Sequence, residues 1–182
     1  MLKKVTLATL IVSLLLPAVV MAGTIELPKT GQTTTYATGD DGAIRAGVAW
    51  PSPRFTAATN TVTDNLTGLV WTKDANLPGY KTWQGALDYV ASMNTGAGTY
   101  GYTDWRLPNI IELESLVNAE QATPATWLNS QGFTNVQSYF YWSSASYASH
   151  TSSAWIVGMG DGDVCAYDKS SNVYVWPVRS GQ

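Results

Sequence analysis

The chain has 182 residues, with ten Lys and Arg against thirteen Asp and Glu, one His, one Cys, eight Trp and ten Tyr. Its charged fraction of 13% is about half the ~25% of an average soluble protein, and a net charge of -3 without a basic run excludes a nucleic-acid binder, which needs clustered Lys and Arg to neutralise phosphates. A single cysteine excludes a disulfide framework within the chain and any Cys-rich zinc site.

Residues 1–22 read as an export signal: Lys3 and Lys4 supply the positive start, residues 7–20 the apolar stretch, and Val20-Met21-Ala22 the small-residue cleavage site. Thr9, Ser13 and Pro17 interrupt the apolar stretch, which falls short of the roughly 20 residues of a membrane span. Gly23, not Cys, follows Ala22, so no lipid attachment is expected there. The expected product is exported to the periplasm, cell surface or medium, carries a net -5 from eight basic and thirteen acidic residues, and has no membrane span after signal cleavage.

Residues 23–54 are rich in Gly, Thr and Ala and contain Pro51 and Pro53, which predicts an extended lead-in. Residues 60–73 alternate and are β-branched around Asp64-Asn65 and Thr67-Gly68, the pattern of a hairpin returning through Leu69-Val70-Trp71. Asn65-Leu66-Thr67 also matches a glycosylation sequon, although a turn accounts for the same residues. Thr82 caps a predicted helix whose Trp83, Ala86, Leu87 and Val90 share one face, and the glycines of residues 94–98 stop it. A second helix is predicted after Pro108, with Asn109 and Glu112 at capping-box spacing, Ile110, Leu113 and Val117 inward, and Glu114 and Glu120 facing away. From Tyr139 onward, short apolar and aromatic runs separated by Gly, Asp, Ser and Asn predict several antiparallel strands. Strands, two helices and again strands define an α+β domain.

Thr67-Gly68-Leu69-Val70-Trp71, Trp83-Gln84-Gly85-Ala86-Leu87, Asp104-Trp105-Arg106-Leu107-Pro108 with Glu112-Leu113, Tyr141-Trp142-Ser143-Ser144 and Val178-Arg179 occur in this order. The ordered set resembles the Lcl C-terminal domain family, known from a bacterial collagen-like adhesin, over residues 55–182. The resemblance implies a C-type-lectin-like fold, related to that of formylglycine-generating enzymes, with two helices, small antiparallel sheets and a loop-rich C-terminal half. Residues 141–182 further resemble the variable end of proteins diversified by retroelements. Under that resemblance the ligand-binding positions are Tyr147, Ser149, His150, Ser152, Ser153, Ile156, Gly158, Gly160, Asp161, Asp163, Cys165, Ala166, Tyr167, Asp168, Ser171 and Val173, set between Trp155, Gly162, Lys169 and Trp176.

No catalytic constellation emerges from the residues. His150 lies in an Ala-Ser-Thr loop and the chain lacks a G-x-S-x-G elbow, so a Ser-His-Asp triad is not expected. Cys165 has Val164 and Ala166 as neighbours and no cation to activate it; formylglycine-generating enzymes use two cysteines. Asp161-Gly162-Asp163 lacks the further oxygen ligands and the bidentate Glu of a calcium loop, so neither a metal nor a cofactor is expected. Glu112 and Glu114 are offset by about 200° around a helix and cannot act on one bond. Asp104, Trp105 and Arg106 are expected to clasp the second helix, with Asp104 or a distant acid neutralising Arg106. Trp71, Trp83, Trp142, Trp155, Trp176 and Arg179 complete the expected structural set.

These readings favour an exported, non-enzymatic domain binding a protein or glycan at the cell surface through the segment between Tyr147 and Val173, whose Tyr, Ser, Asp and Gly resemble a paratope. The alternative is an adhesin or structural head without a diversified site, and an enzyme ranks third.

Overall fold

The computed structural model describes residues 27–181, so the export signal read in residues 1–22 lies outside the described residues. The first element, α1 (Asp41–Ile44), is one turn capped by Asp40, whose carboxylate accepts from the Ala43 amide at 3.0 Å. β1 (Phe55–Ala57), β2 (Thr61–Asp64) and β3 (Leu69–Thr72) then form an antiparallel meander. Asp64 shapes the expected hairpin: its carboxylate accepts from the Leu66 amide at 3.0 Å and the Thr67 hydroxyl at 3.1 Å, and its carbonyl from the Gly68 amide at 2.8 Å. Gly68 takes φ +74°, a left-handed conformation suited to glycine. The sequon residues are this turn, and the Asn65 amide group donates to Pro53 O and Thr56 Oγ1.

β4 (Tyr80–Lys81) leads into α2 (Trp83–Ser92), where Thr82 Oγ1 accepts from the Gly85 amide and Ala86 and Val90 are buried as the spacing predicted. In the glycine stop, a Cβ on Gly98 would lie 2.0 Å from the Tyr102 carbonyl oxygen, so only glycine fits. α3 (Ile110–Glu114) carries the full capping box: Asn109 Oδ1 accepts from the Glu112 amide at 2.9 Å and Glu112 Oε2 from the Asn109 amide at 2.8 Å. α4 (Pro124–Ser130) was not legible in the sequence. Its Thr123 cap makes no side-chain hydrogen bond, and it is held from outside, by Ala125 N donating to Met159 O at 2.7 Å and by the Asn129 side chain bridging Val136 N and O. Four helices, not two, are therefore found among the described residues.

β5 (Phe140–Ser146), β6 (Ser153–Gly158), β7 (Val164–Asp168), β8 (Val173–Tyr174) and β9 (Val178–Ser180) complete the α+β fold. One sheet runs β1-β2-β3-β9, so the last strand closes against the first hairpin, and the other runs β4-β8-β5-β6-β7. All pairings are antiparallel except β5 with β8. Trp71, Trp176, Tyr141, Phe133, Leu113, Leu116 and Leu128 form one core. Ala86, Val90, Leu107, Trp142, Ile156, Val173 and Val175 form a second, on the α2 side of the five-stranded sheet.

The lead-in is a strap rather than a free extension. Glu120, expected to face away, instead binds it, its carboxylate accepting from the Thr33 amide at 2.6 Å, the Thr34 amide at 2.9 Å and the Thr34 hydroxyl. These donors, the Thr33 amide foremost, bring the Glu120 carboxyl down to about 2. Trp50 Nε1 donates to Lys29 O at 2.8 Å and its ring packs against Trp127 with centroids 5.8 Å apart.

Candidate functional site

The expected clasp exists with different partners. Arg106 does not pair with Asp104 but bidentately with Glu112, at 2.6 Å for each contact, while Asp104 pairs with Arg179 at 2.6 Å. The capping box already fixes the Glu112 carboxylate beside Arg106, which joins Val178 by two backbone hydrogen bonds, so the guanidinium fork closes on Glu112, while Asp104 takes the next residue of β9, Arg179. Burial alone would raise the Glu112 carboxyl, but the Arg106 side chain and the Asn109 amide bring it below its ordinary value. Trp105 is buried, with Nε1 donating to Thr99 O at 2.9 Å. Trp71, Trp142 and Trp176 are fully buried; Trp142 Nε1 donates to Lys81 O and Trp176 Nε1 to Thr72 O, each at 2.9 Å. Trp83 Nε1 donates to Ser143 O at 2.8 Å, and Trp155 is half-buried.

The proposed binding positions do not form one surface. Ile156 and Val173 are 0% exposed and belong to the second core, and Gly158 is buried as well, so these three cannot meet a ligand directly. Strand alternation turns Ala154, Ile156 and Gly158 to one side of β6, and the second core with Ala86 and Val90 of α2 covers Ile156 on that side and Val173 of β8. The remaining positions separate to the two ends of the β6–β7 hairpin. At one end, Ser149, His150 and Ser152 are exposed, and the Tyr147 ring contacts His150 at 5.8 Å and Trp155 at 5.0 Å. Lys169 fixes this loop, donating to Ser146 Oγ at 2.7 Å and Thr151 O at 2.9 Å with its ammonium 4.1 Å from the Trp83 ring centroid. Ser153, Asp168 and Ser171 lie nearby, and the Ser170 side chain and amide hold the Asp168 carboxyl below its ordinary value. At the other end, exposed Asp161 and Asp163 flank the turn at Gly160 and Gly162, a strand length of roughly 17–20 Å away.

Alternation also splits the hairpin by face. Cys165 packs against the second core and Tyr167 shares its side, whereas Trp155 and Ala166, paired in register, occupy the other. Burial first, then Asp163 and Asp161, push the Cys165 thiol up, the opposite of an activated nucleophile. The His150 ring makes no hydrogen bond to a serine or carboxylate among the described residues, where its carbonyl accepts from the Ser153 amide, and no group of three or more His, Cys, Asp or Glu gathers there to hold a metal.

A second aromatic feature wraps around the five-stranded sheet, from Tyr80 and Tyr174 on the face of the first core to Phe140 and Tyr167 on the face of the second. Tyr80, Tyr139 and Tyr167 are 50%, 44% and 42% exposed. Ring contacts connect them: Tyr80 stacks on Tyr174 at 4.1 Å, Tyr139 meets Tyr80 at 6.1 Å and Phe140 at 5.5 Å, and Phe140 lies 6.5 Å from Tyr167. The ribbon is anchored beneath by Tyr174, which is 8% exposed and packs on Tyr141 at 5.5 Å. Its hydrogen bond with Tyr80, then burial, push the Tyr174 phenol up to about 12, so it stays protonated. Elsewhere a cleft of about 450 Å³ lies between the strap and α3, lined by Trp50, Leu66, Ile111 and Val117, with Lys29 and Glu114 at its margins.

The sequence pattern of the Lcl C-terminal domain matches residues 60–179. The chain belongs to the Lcl C-terminal domain family. No curated protein matches the chain. The Lcl C-terminal domain match runs from the residue before β2 to the middle of β9, so the strap, α1 and β1 pack outside it. Within this Lcl C-terminal domain the ribbon was not legible in the sequence, because Tyr80, Tyr139 and Tyr174 come from separate segments and only the β4-β8-β5 strand order brings them together. Tyr167 alone of its exposed rings was among the sequence candidates.

Proposed function

We propose that the protein is an exported, non-catalytic ligand-binding domain of C-type-lectin-like layout that meets a protein or glycan partner through the tyrosine ribbon of its five-stranded sheet. The carrying observation is that three tyrosines, 42% to 50% exposed, come from β4, β7 and the approach to β5 and are tied by ring contacts to a buried Tyr174. Tyrosine suits such a surface because it offers contact area for only two rotatable side-chain angles. Covering the exposed halves of three rings removes roughly 200–400 Å² from water, or about 5–10 kcal/mol gross. Association costs an estimated 4–15 kcal/mol, so polar contacts at the rim decide affinity and partner. The raised Cys165 thiol and the loop position of His150 support a non-catalytic reading.

The test is to display the mature chain to glycan and peptide arrays beside Tyr139→Ala, which removes the ring in contact with Tyr80, Phe140 and Tyr174. Binding to a defined class should fall at least tenfold while the thermal midpoint stays within a few degrees, as expected for a largely exposed side chain. Unchanged binding by a folded variant would remove the ribbon from the interaction.

A further inference from the structure

The ribbon is not a flat platform. The Tyr139 ring stands at 86° to Tyr80, 80° to Tyr174 and 70° to Phe140, so its edges join the stacked Tyr80 and Tyr174 on the face of the first core to Phe140 on the face of the second. On that second face Phe140 and Tyr167 form the sides of a bay, their centroids 6.5 Å apart and their planes within 21° of one another.

The bay carries negative charge. Asp161 Oδ1 and Phe140 Cε1 approach each other over Gly158, where a Cβ would lie 3.1 Å from each. Asp163 is exposed two residues before Cys165, on the same side of the strand, and Cys165 shares the Tyr167 face. Neither aspartate has an ion-pair partner among the described residues. The two cations in the C-terminal strand region are engaged elsewhere, Lys169 with Ser146, Thr151 and Trp83, and Arg179 with Asp104 and Tyr102.

We infer that the partner of this face is a peptide segment bearing arginine or lysine, with a cationic side chain in the bay formed by Phe140, Tyr167, Asp161 and Asp163. This rests on the ribbon being a binding surface and adds the class of its partner. Aromatic faces attract cations through the ring quadrupole, and carboxylates at the rim supply charge-assisted hydrogen bonds that fit a guanidinium fork. The net charge of -3 acts in the same direction by steering a basic partner toward the domain. The same arrangement disfavours sulfated and other anionic partners, because the bay offers carboxylates and no free cation.

The experiment is calorimetric titration of the exported chain with a hexa-arginine peptide, with hexaglutamate and cellohexaose as comparison probes. Asp161→Asn with Asp163→Asn preserves side-chain size, and with it the Asp161 acceptor for the Asp163 amide, so a change reports charge. The double variant is expected to weaken hexa-arginine at least tenfold and Tyr167→Ala at least fivefold. Glu114→Gln, which removes one charge on α3 away from the bay, should alter it less than twofold. Hexaglutamate and cellohexaose should not bind. Equal weakening by Glu114→Gln and the aspartate pair would reduce the effect to net charge and overturn the inference, as would no hexa-arginine binding. Cellohexaose binding that Tyr139→Ala abolishes would overturn it too, while leaving the ribbon as a binding surface. Should Tyr167→Ala fail to fold, the aspartate pair decides.

Discussion

Arg54 and Asp64 concentrate electrostatic stakes in a domain with few charges. Both are buried, at 5% and 0% exposure, and their contacts are 3.3 and 3.4 Å. The guanidinium also donates to Ser115 O and lies 4.0 Å from the Trp50 ring centroid and 4.8 Å from that of Phe55. Arg54 Nη1 has no hydrogen-bond partner, so the rings are its remaining electrostatic support. Burial lowers the Arg54 pKa, and Asp64 counters that shift only in part. Removing one partner of a buried pair strands the other charge, at about 3–5 kcal/mol. Asp64→Asn should therefore lower unfolding free energy by about that amount in urea titration. A loss below about 1 kcal/mol would mean that the rings and Ser115 neutralise the arginine without it.

The elements differ in what holds them. α2 and α3 carry their own instructions, a Thr82 cap and an Asn109–Glu112 box, and both start where the spacing placed them. α4 and the strap are held by partners distant in sequence, which local pattern cannot reveal. The strap has an acid-sensitive attachment. Glu120 has a folded value of about 2 against an ordinary 4.5. A lowered carboxylate pKa contributes stability in full above the unfolded value and loses it as pH falls through the folded one. Amide exchange at Thr33 and Thr34, taken relative to the unprotected chain at the same pH, should thus accelerate on acidification from about 4.5 toward 2. In Glu120→Gln it should be fast throughout and lack that pH dependence, and slow exchange in this variant would assign the strap to Trp50 and backbone contacts alone.

Across the molecule, the C-terminal strands mix positions that a changing sequence could vary with positions that it could not. Exposed Ser149, His150, Ser152, Asp161, Asp163 and Tyr167, with half-buried Tyr147, place little in a core, whereas fully buried Ile156 and Val173 fill one. Large-to-small changes at such positions typically cost several kcal/mol. If a retroelement diversifies this gene, flanking DNA should contain a near-copy of the codons for residues 141–182. Its mismatches should fall at the exposed codons and spare those of Ile156 and Val173. No copy within a few kilobases would withdraw active diversification at the locus, and mismatches centred on the buried codons would contradict this division.

The family, the α+β class, the first hairpin and two helix starts were legible in the residues, because turns, caps and amphipathic spacing are local consequences of side-chain chemistry. Composition likewise disfavoured a disulfide scaffold and a nucleic-acid binder. Tertiary structure decided the partners of Arg106 and Asp104, the strap held by Glu120, and the burial of Ile156 and Val173. It also decided the surface: Tyr80 and Tyr174 pair across β4 and β8 although 94 positions separate them in the numbering, and Tyr139 enters from another segment. Strand alternation can be read along one segment, but which segments become neighbours depends on sheet order, and that is set by packing of the whole chain.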